Sequence, residues 1–171
     1  QHVDSTASPS PGPAAPRALV SLATYNEAGN LRELVAEIRR HAPEAAVLVV
    51  DDNSPDGTGQ IADELAASLP HVHVIHRAGK LGLGTALIAA MRFAIEQGYD
   101  YLLNLDADFS HPPRYIPALL AGMADHDVMI GSRYGPGGGT QDWPLSRRMI
   151  SKSVNFYVRL LLGLPVRDAS G

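Results

Sequence analysis

From Ala18 onward, short runs of β-branched and apolar residues alternate with segments whose apolar positions recur every three or four residues. That alternation predicts βαβ units and a parallel sheet. "ALVSLAT" (18–24) predicts a buried strand, and "NLRELVAEIRRHA" (30–42) places Leu31, Leu34, Val35 and Ile38 on one helical face. Asn30 with Glu33 has the form of a capping box. "AVLVV" (46–50) predicts a second strand and "TGQIADELAASL" (58–69) a second helix, with Thr58 as its N-cap. "HVHVIH" (71–76) alternates as a third strand, and "GTALIAAMRFAIEQG" (84–98) is an amphipathic helix that stops at Gly98. "YLLNL" (101–105) predicts a fourth strand, "YIPALLAGMAD" (115–125) a helix and "DVMIGSRY" (127–134) a fifth strand. After the glycine-rich "GPGGG", "LSRRMISKSVNFYVRLLLG" (145–163) is helical, with an apolar face and the basic residues Arg147, Arg148, Lys152 and Arg159. There is no internal repeat.

The first 16 residues, "QHVDSTASPSPGPAAP", carry Pro, Ser and Ala without hydrophobic period and predict a disordered leader. Residues 17–171 then form one domain, as the length of 171 residues favours. The closing "RDASG" is turn-like with no element finished after it, which predicts a domain cut short at its C-terminal end. A net charge of −4 supplies no basic stripe for nucleic acid, so any anion site must be local. The absence of cysteine excludes disulfides, thiolate metal sites and a cysteine nucleophile, and fits a reducing compartment. No apolar run approaches the roughly 20 residues that span a bilayer, and no secretory signal opens the chain. The expectation is a soluble or peripheral protein.

In an open parallel sheet, ligands gather outside the carboxyl ends of the strands. The unusual residues sit there: "TYNE" (24–27), "DDNSPDG" (51–57), "RAGKLGLG" (77–84) and "DADFS" (106–110) follow the first four strands in turn. Asp106 and Asp108 are costly to bring together unless a cation relieves them. A hard divalent ion does so while leaving positions for phosphate oxygens; the competing reading is a solvated Asp turn. "DDNSPDG" resembles a calcium loop, but Pro55 interrupts it and Gly59 stands where an apolar residue is expected. Its acidic pair also suits a phospho-accepting receiver module, although that module wants the pair after its first strand and a lysine after its fifth, and here the fifth strand ends in "GSRY". A third reading makes Asp52 an acceptor for a base or ribose, and a plain Asx turn over Asn53–Gly57 stands beside it. "GKLGLGT" (79–85) fails the P-loop and dinucleotide patterns and reads as a strand-to-helix turn. His71 and His73 share a strand face that His76 does not, which argues against a zinc site. Arg133, Arg147, Arg148 and Lys152 form either a solvated face or a grip for a second phosphate.

Taken together, "TYNEAGNL", "VVDDNSPDGT", "KLGLGTA", "LDADFSHPP", "IGSRY" followed by "GGGTQDWPLSRRMISK", and "DASG" resemble a family-2 glycosyltransferase, in particular the polyprenol-phosphate (dolichol-phosphate) mannosyltransferase group. The resemblance runs from about Leu19 to Gly171 and rests on the ordered set of motifs. It implies an α/β GT-A fold, Rossmann-like with a mostly parallel sheet flanked by helices, a nucleotide-sugar donor such as GDP-mannose, and Mg²⁺ or Mn²⁺. By motif matching, Ala23, Tyr25, Glu27, Val50 and Asp52 line the nucleoside pocket. Asp106, Ala107 and Asp108 cradle the diphosphate, with Asp108 the chief metal ligand and Asp106 and Ser110 beside it. Arg133 and Arg147 meet donor and acceptor phosphates, and Lys152 supports the acceptor phosphate. Ala23 replaces the proline usual before "TYNE", and Ser110 stands where some relatives carry glutamine.

The chemistry implied is inverting sugar transfer to a polyprenol phosphate, whose phosphate is largely dianionic at pH 7 and needs no strong base. The alternatives are a different donor such as UDP-glucose, a non-lipid acceptor, or the receiver module. The basic, apolar segment 145–163 suits either an anionic membrane surface or core packing, and the implied location is the cytoplasmic face of a membrane.

Overall fold

The computed structural model describes residues 15–134, 139, 144–163 and 168. Two compact units divide the chain, Gln1–Arg114 and Tyr115–Gly171. The expected leader, apart from its last two residues, lies outside the described residues, as does most of "GPGGG".

The first unit is built from β1 (Ala18–Thr24), α1 (Leu31–His41), β2 (Ala46–Asp51), α2 (Thr58–Ser68), β3 (Val72–His76), α3 (Leu83–Glu96) and β4 (Tyr101–Asp106). All pairings are parallel, and the strand order is β3-β2-β1-β4. The chain steps from β1 outward to β3 and then returns to the other side of β1 for β4. Strand order therefore reverses beside β1, and such a switch point opens a crevice at the carboxyl ends.

The core explains why these sequences take these places. β1 and β2 are buried along almost their whole length, as strands covered on both faces must be. On one face Leu19, Ala46, Leu48 and Val50 pack with Ala86, Ala90 and Ala94 of α3. Those three alanines recur every fourth residue, so α3 presents a flat stripe that lets its backbone approach the sheet. Alternation sends Val20, Leu22, Val47 and Val49 to the opposite face. On the helical side, Leu31, Leu34, Val35 and Ile38 of α1 and Ala62 and Leu65 of α2 are buried.

In the second unit a short 3₁₀ turn (Pro113–Tyr115) that bridges the unit boundary leads into α4 (Ile116–Gly122), and α5 spans Leu145–Leu162. The fifth strand expected over 127–134 is absent; Asp127–Tyr134 is irregular, although Val128 and Ile130 alternate, and both are exposed. A strand needs a partner's edge, which the pattern alone does not supply. Two expected caps also differ. Asn30 precedes α1 without capping it and donates instead to Glu27 Oε2 at 2.8 Å. Thr58 is the first residue of α2, behind a left-handed Gly57, and its hydroxyl serves the neighbouring loop.

Candidate functional site

The rim at the carboxyl ends is set by register. Thr24 pairs with Asp51 on one side of β1, and Ala23 with Asp106 on the other. Two strand spacings put the tips of β2 and β4 about 10 Å apart across β1, on one edge of the sheet. Asp52 and the Asp106–Asp108 pair thus flank the loop that carries Tyr25 and Glu27.

The β1 and β2 loops are stitched together by side chains reaching main chain. The amides of Asn26, Glu27 and Ala28 donate to Ser54 Oγ (3.1 Å), Thr58 Oγ1 (2.9 Å) and Asp56 Oδ2 (3.1 Å). Asp51 is buried and accepts from Thr24 Oγ1 at 3.0 Å, Ser54 N at 3.0 Å and Ser54 Oγ at 2.6 Å. Hydrogen bonds from Thr58 and Ala28 hold the Asp56 carboxyl below the usual range, with the Thr58 hydroxyl the largest cause. Asn26 and Asn53, at φ 63° and 58°, turn the two loops through the left-handed region, which asparagine tolerates best after glycine.

Asp52 lies at the floor of this crevice. Its Oδ2 accepts the Leu81 amide at 3.1 Å. Arg77 Nη1 stands 3.0 Å from Oδ1, with both side chains over nine-tenths buried. That contact is ionic and falls outside hydrogen-bond geometry, so Oδ1 keeps an unused acceptor position. Arg77 also donates to Gly82 O at 3.4 Å and to the Thr85 hydroxyl, which ties the "KLGLG" turn to Asp52. Lys80 Nζ sits 4.1 Å from the centre of the Tyr25 ring. Arg77 and Lys80 were absent from the residues expected at the site. Their place in "RAGKLGLG" at a strand end was the available signal. Val50 is packed in the core one residue inside the rim, Ala23 packs against the same cluster, and Glu27 is half-buried.

The β4 loop forms the other wall. Asp108 Oδ1 accepts the Ser110 amide at 2.9 Å, and the Ser110 hydroxyl lies 3.5 Å from Asp106 Oδ2. Hydrogen bonding from Ser110, its side chain first and its amide second, holds the Asp108 carboxyl below the usual carboxylate range. Between the two acids Ala107 is buried and Phe109 takes φ 63°, an outlying conformation for an aromatic residue that is most often found at functional sites. Behind the loop, Phe109, Pro112, Pro113 and Arg114 face Glu33, Glu37 and His41 of α1 across a groove of about 270 Å³. Among the described residues, no three His, Cys, Asp or Glu side chains group as a metal cage. The oxygen donors of the β4 loop are the carboxylates of Asp106 and Asp108 and the hydroxyl of Ser110.

The second unit holds the remaining expected residues. Arg133 is gripped by Asp168: Nε donates to Oδ2 at 2.8 Å, Nη2 to Oδ1 at 2.7 Å, and the Arg133 amide to Oδ2 at 3.0 Å. Asp168 is buried, and its hydrogen bonds hold the guanidinium above its already high value. Tyr134 donates to Ser151 Oγ at 2.8 Å. Arg147 and Lys152 lie exposed on α5. Asp168 carried no expected role, although it opens the "DASG" motif.

A family model described as glycosyl transferase family 2 matches residues 20–171. The chain belongs to that family, and its parallel sheet with flanking helices is the α/β GT-A arrangement that the motifs imply. The undecaprenyl-phosphate mannosyltransferase of Micrococcus luteus is 49% identical over 152 residues, covering 89% of this chain and 63% of that protein. The polyprenol monophosphomannose synthase of Mycolicibacterium smegmatis is 47% identical over 154 residues, covering 89% of this chain and 58% of that protein. The chain therefore spans less than two thirds of the length of these relatives. Among solved structures, S. aureus TarS 1-349 is 24% identical with a TM-score of 0.50, over 64% of this chain and 33% of that one, a likeness in fold.

Proposed function

We propose that this chain is the donor-binding, catalytic part of an inverting polyprenol-phosphate mannosyltransferase that uses GDP-mannose with Mg²⁺ or Mn²⁺. The observation that carries the proposal is the single rim on which Asp52 and the Asp106–Asp108 pair flank the Tyr25 loop. The names of the two curated relatives support the mannosyl donor and the polyprenol phosphate acceptor. Family membership sets aside the receiver module.

Each part of the rim suits one part of a nucleotide sugar. Tyr25 offers a ring for stacking, and Asp52, held by Arg77 and the Leu81 amide, is the carboxylate we assign to a base or ribose donor. The oxygen-only donor set of Asp106, Asp108 and Ser110 fits a hard divalent ion that is shared with phosphates rather than enclosed by protein. Asp108 is ionised throughout the neutral range, because Ser110 favours its charged form. When bound, the cation supplies neutralisation of charge on the diphosphate. In the reaction a phosphate oxygen of the acceptor bonds to the anomeric carbon, and the carbon–oxygen bond to the diphosphate breaks with its electron pair leaving on oxygen. One displacement inverts the centre and gives a β-linked product. We assign Arg133, two of whose guanidinium nitrogens are held by Asp168, to the donor phosphates, and Arg147 and Lys152 to the acceptor phosphate, as cationic partners for anionic oxygens.

The apolar residues of α5 favour a lipid-facing role. Met149, Ile150, Phe156, Tyr157, Leu160 and Leu161 are exposed beside its basic residues, while its buried positions are Ser151 and Asn155. No helix of the described residues is long and apolar enough to cross a membrane. We assign the protein to the cytoplasmic membrane surface, with 17–171 as its catalytic domain. Calorimetry with GDP, UDP and their sugars, with and without Mn²⁺, tests the proposal. GDP binding that Mn²⁺ strengthens, and that Asp108→Ala renders Mn²⁺-independent, is expected. Preference for UDP moves the reading to another family-2 donor.

A further inference from the structure

His111 closes the β4 loop in a way the transfer chemistry does not use. The Asp106 amide donates to His111 Nδ1 at 3.3 Å, and the same nitrogen lies 3.6 Å from Asp106 Oδ2. An amide can only donate, so in this bond Nδ1 accepts through its lone pair. Among the described residues β4 pairs on one side only, with β1, and the imidazole takes up an amide of its last residue. Four residues lie between the partners of this bond, and they include Asp108 and Ser110. Pro112 and Pro113 follow at once, and their fixed φ angles stiffen the exit. Phe109 passes through the left-handed region inside the closed loop, a conformation that persists only where its surroundings over-determine it.

We propose that His111 is a positioning residue for the cation site: its Nδ1 holds the Asp106 amide and so sets the spacing of the Asp106 and Asp108 carboxylates. This rests on the reading of those aspartates as cation ligands. Groups that orient metal-binding side chains without touching the ion are worth about 10- to 100-fold in metal affinity. His111 is 41% exposed, so its replacement leaves the core intact. Asparagine is the informative substitute, because its Oδ1 occupies the place of Nδ1 and accepts from the same amide, whereas alanine leaves that amide to solvent.

The test is Mn²⁺ binding to this chain at saturating GDP, followed by electron paramagnetic resonance, with GDP affinity in the absence of metal as the control. His111→Ala is expected to weaken Mn²⁺ about 10-fold, with metal-free GDP affinity unchanged, and His111→Asn to restore most of the loss. Pulsed measurement is expected to find no imidazole nitrogen coupled to Mn²⁺. Equal Mn²⁺ affinity in His111→Ala, failure of His111→Asn to recover it, or a coupled histidine nitrogen overturns the positioning role while leaving the cation site standing. A parent chain that takes up no Mn²⁺ with GDP overturns the site itself, and this inference with it.

Discussion

Individual side chains at the rim act mostly by shaping main chain. Gly82 takes φ 91° and ψ 155°, a region essentially open to glycine alone. That turn delivers the Leu81 amide to Asp52 and the Gly82 carbonyl to Arg77. Gly82→Ala is expected to cost about 1–3 kcal/mol of strain and to weaken GDP measurably in calorimetry, while Gly79→Ala, in open space at ordinary φ, leaves binding unchanged. A second residue-scale expectation concerns pH. Burial first, and the charge of His71 second, push the His73 ring below its ordinary value; the ring packs 5.2 Å from Phe93. The unfolded chain therefore takes up this proton at higher pH than the folded one. Stability from this group is complete above about pH 6.5 and declines as pH falls from there through the folded value. Thermal unfolding followed from about pH 7.5 to about pH 5, the span over which histidine titrates, should show that decline, and His73→Gln should flatten it.

At the scale of elements, hydrophobic period located the four strands and most helices within a residue or two, because each buried face repeats at the spacing of its own element; α4 ends at Gly122, three residues short of the expected 125. The carboxyl-end loops were legible for the same reason: once βαβ order is recognised, the chemistry must fall after the strands. Caps were less legible. Asn30 and Thr58 have the right residue types for local capping, yet Glu27 and the β1 loop compete for their side chains, and tertiary partners are invisible in a local pattern. The Asp52–Arg77 and Arg133–Asp168 pairs escaped for a like reason, since they join positions 25 and 35 residues apart in sequence. The segment 127–134 alternates but forms no strand, which shows that alternation reports a face and not a partner. α3 offers the sharpest test of element packing. Its alanine stripe meets the sheet with Ala90 at 1% exposure, so Ala90→Leu should overpack the interface by about 1–3 kcal/mol. Chemical denaturation would show a lowered midpoint with little change in slope, and Ile95→Leu on the exposed side should leave it unmoved.

Over the whole molecule, acidic rim and basic helix occur in one chain of net charge −4. The two charges suit the two proposed substrates differently: a cation-bridged diphosphate on the carboxylates, and an anionic lipid headgroup on the lysine and arginines of α5. If α5 meets lipid as we assign it, co-sedimentation with vesicles containing phosphatidylglycerol should exceed that with neutral vesicles and should fall with salt. Replacing Phe156 and Leu160 by serine should abolish the salt-resistant remainder. Sedimentation at background for both vesicle types removes the lipid-facing role of α5 and leaves the donor site untouched.

The three consecutive amides of Asn26, Glu27 and Ala28, each bonded to a side chain of the β2 loop or of the first residue of α2, carry a consequence for motion. Although this lip lies at the surface, its hydrogens should exchange with deuterated solvent slowly and at a common rate, since none is released until the neighbouring loop swings away as a body. A lip so fastened loses little freedom when a ligand arrives, so its occupation should register in calorimetry as heat with only a small entropic penalty.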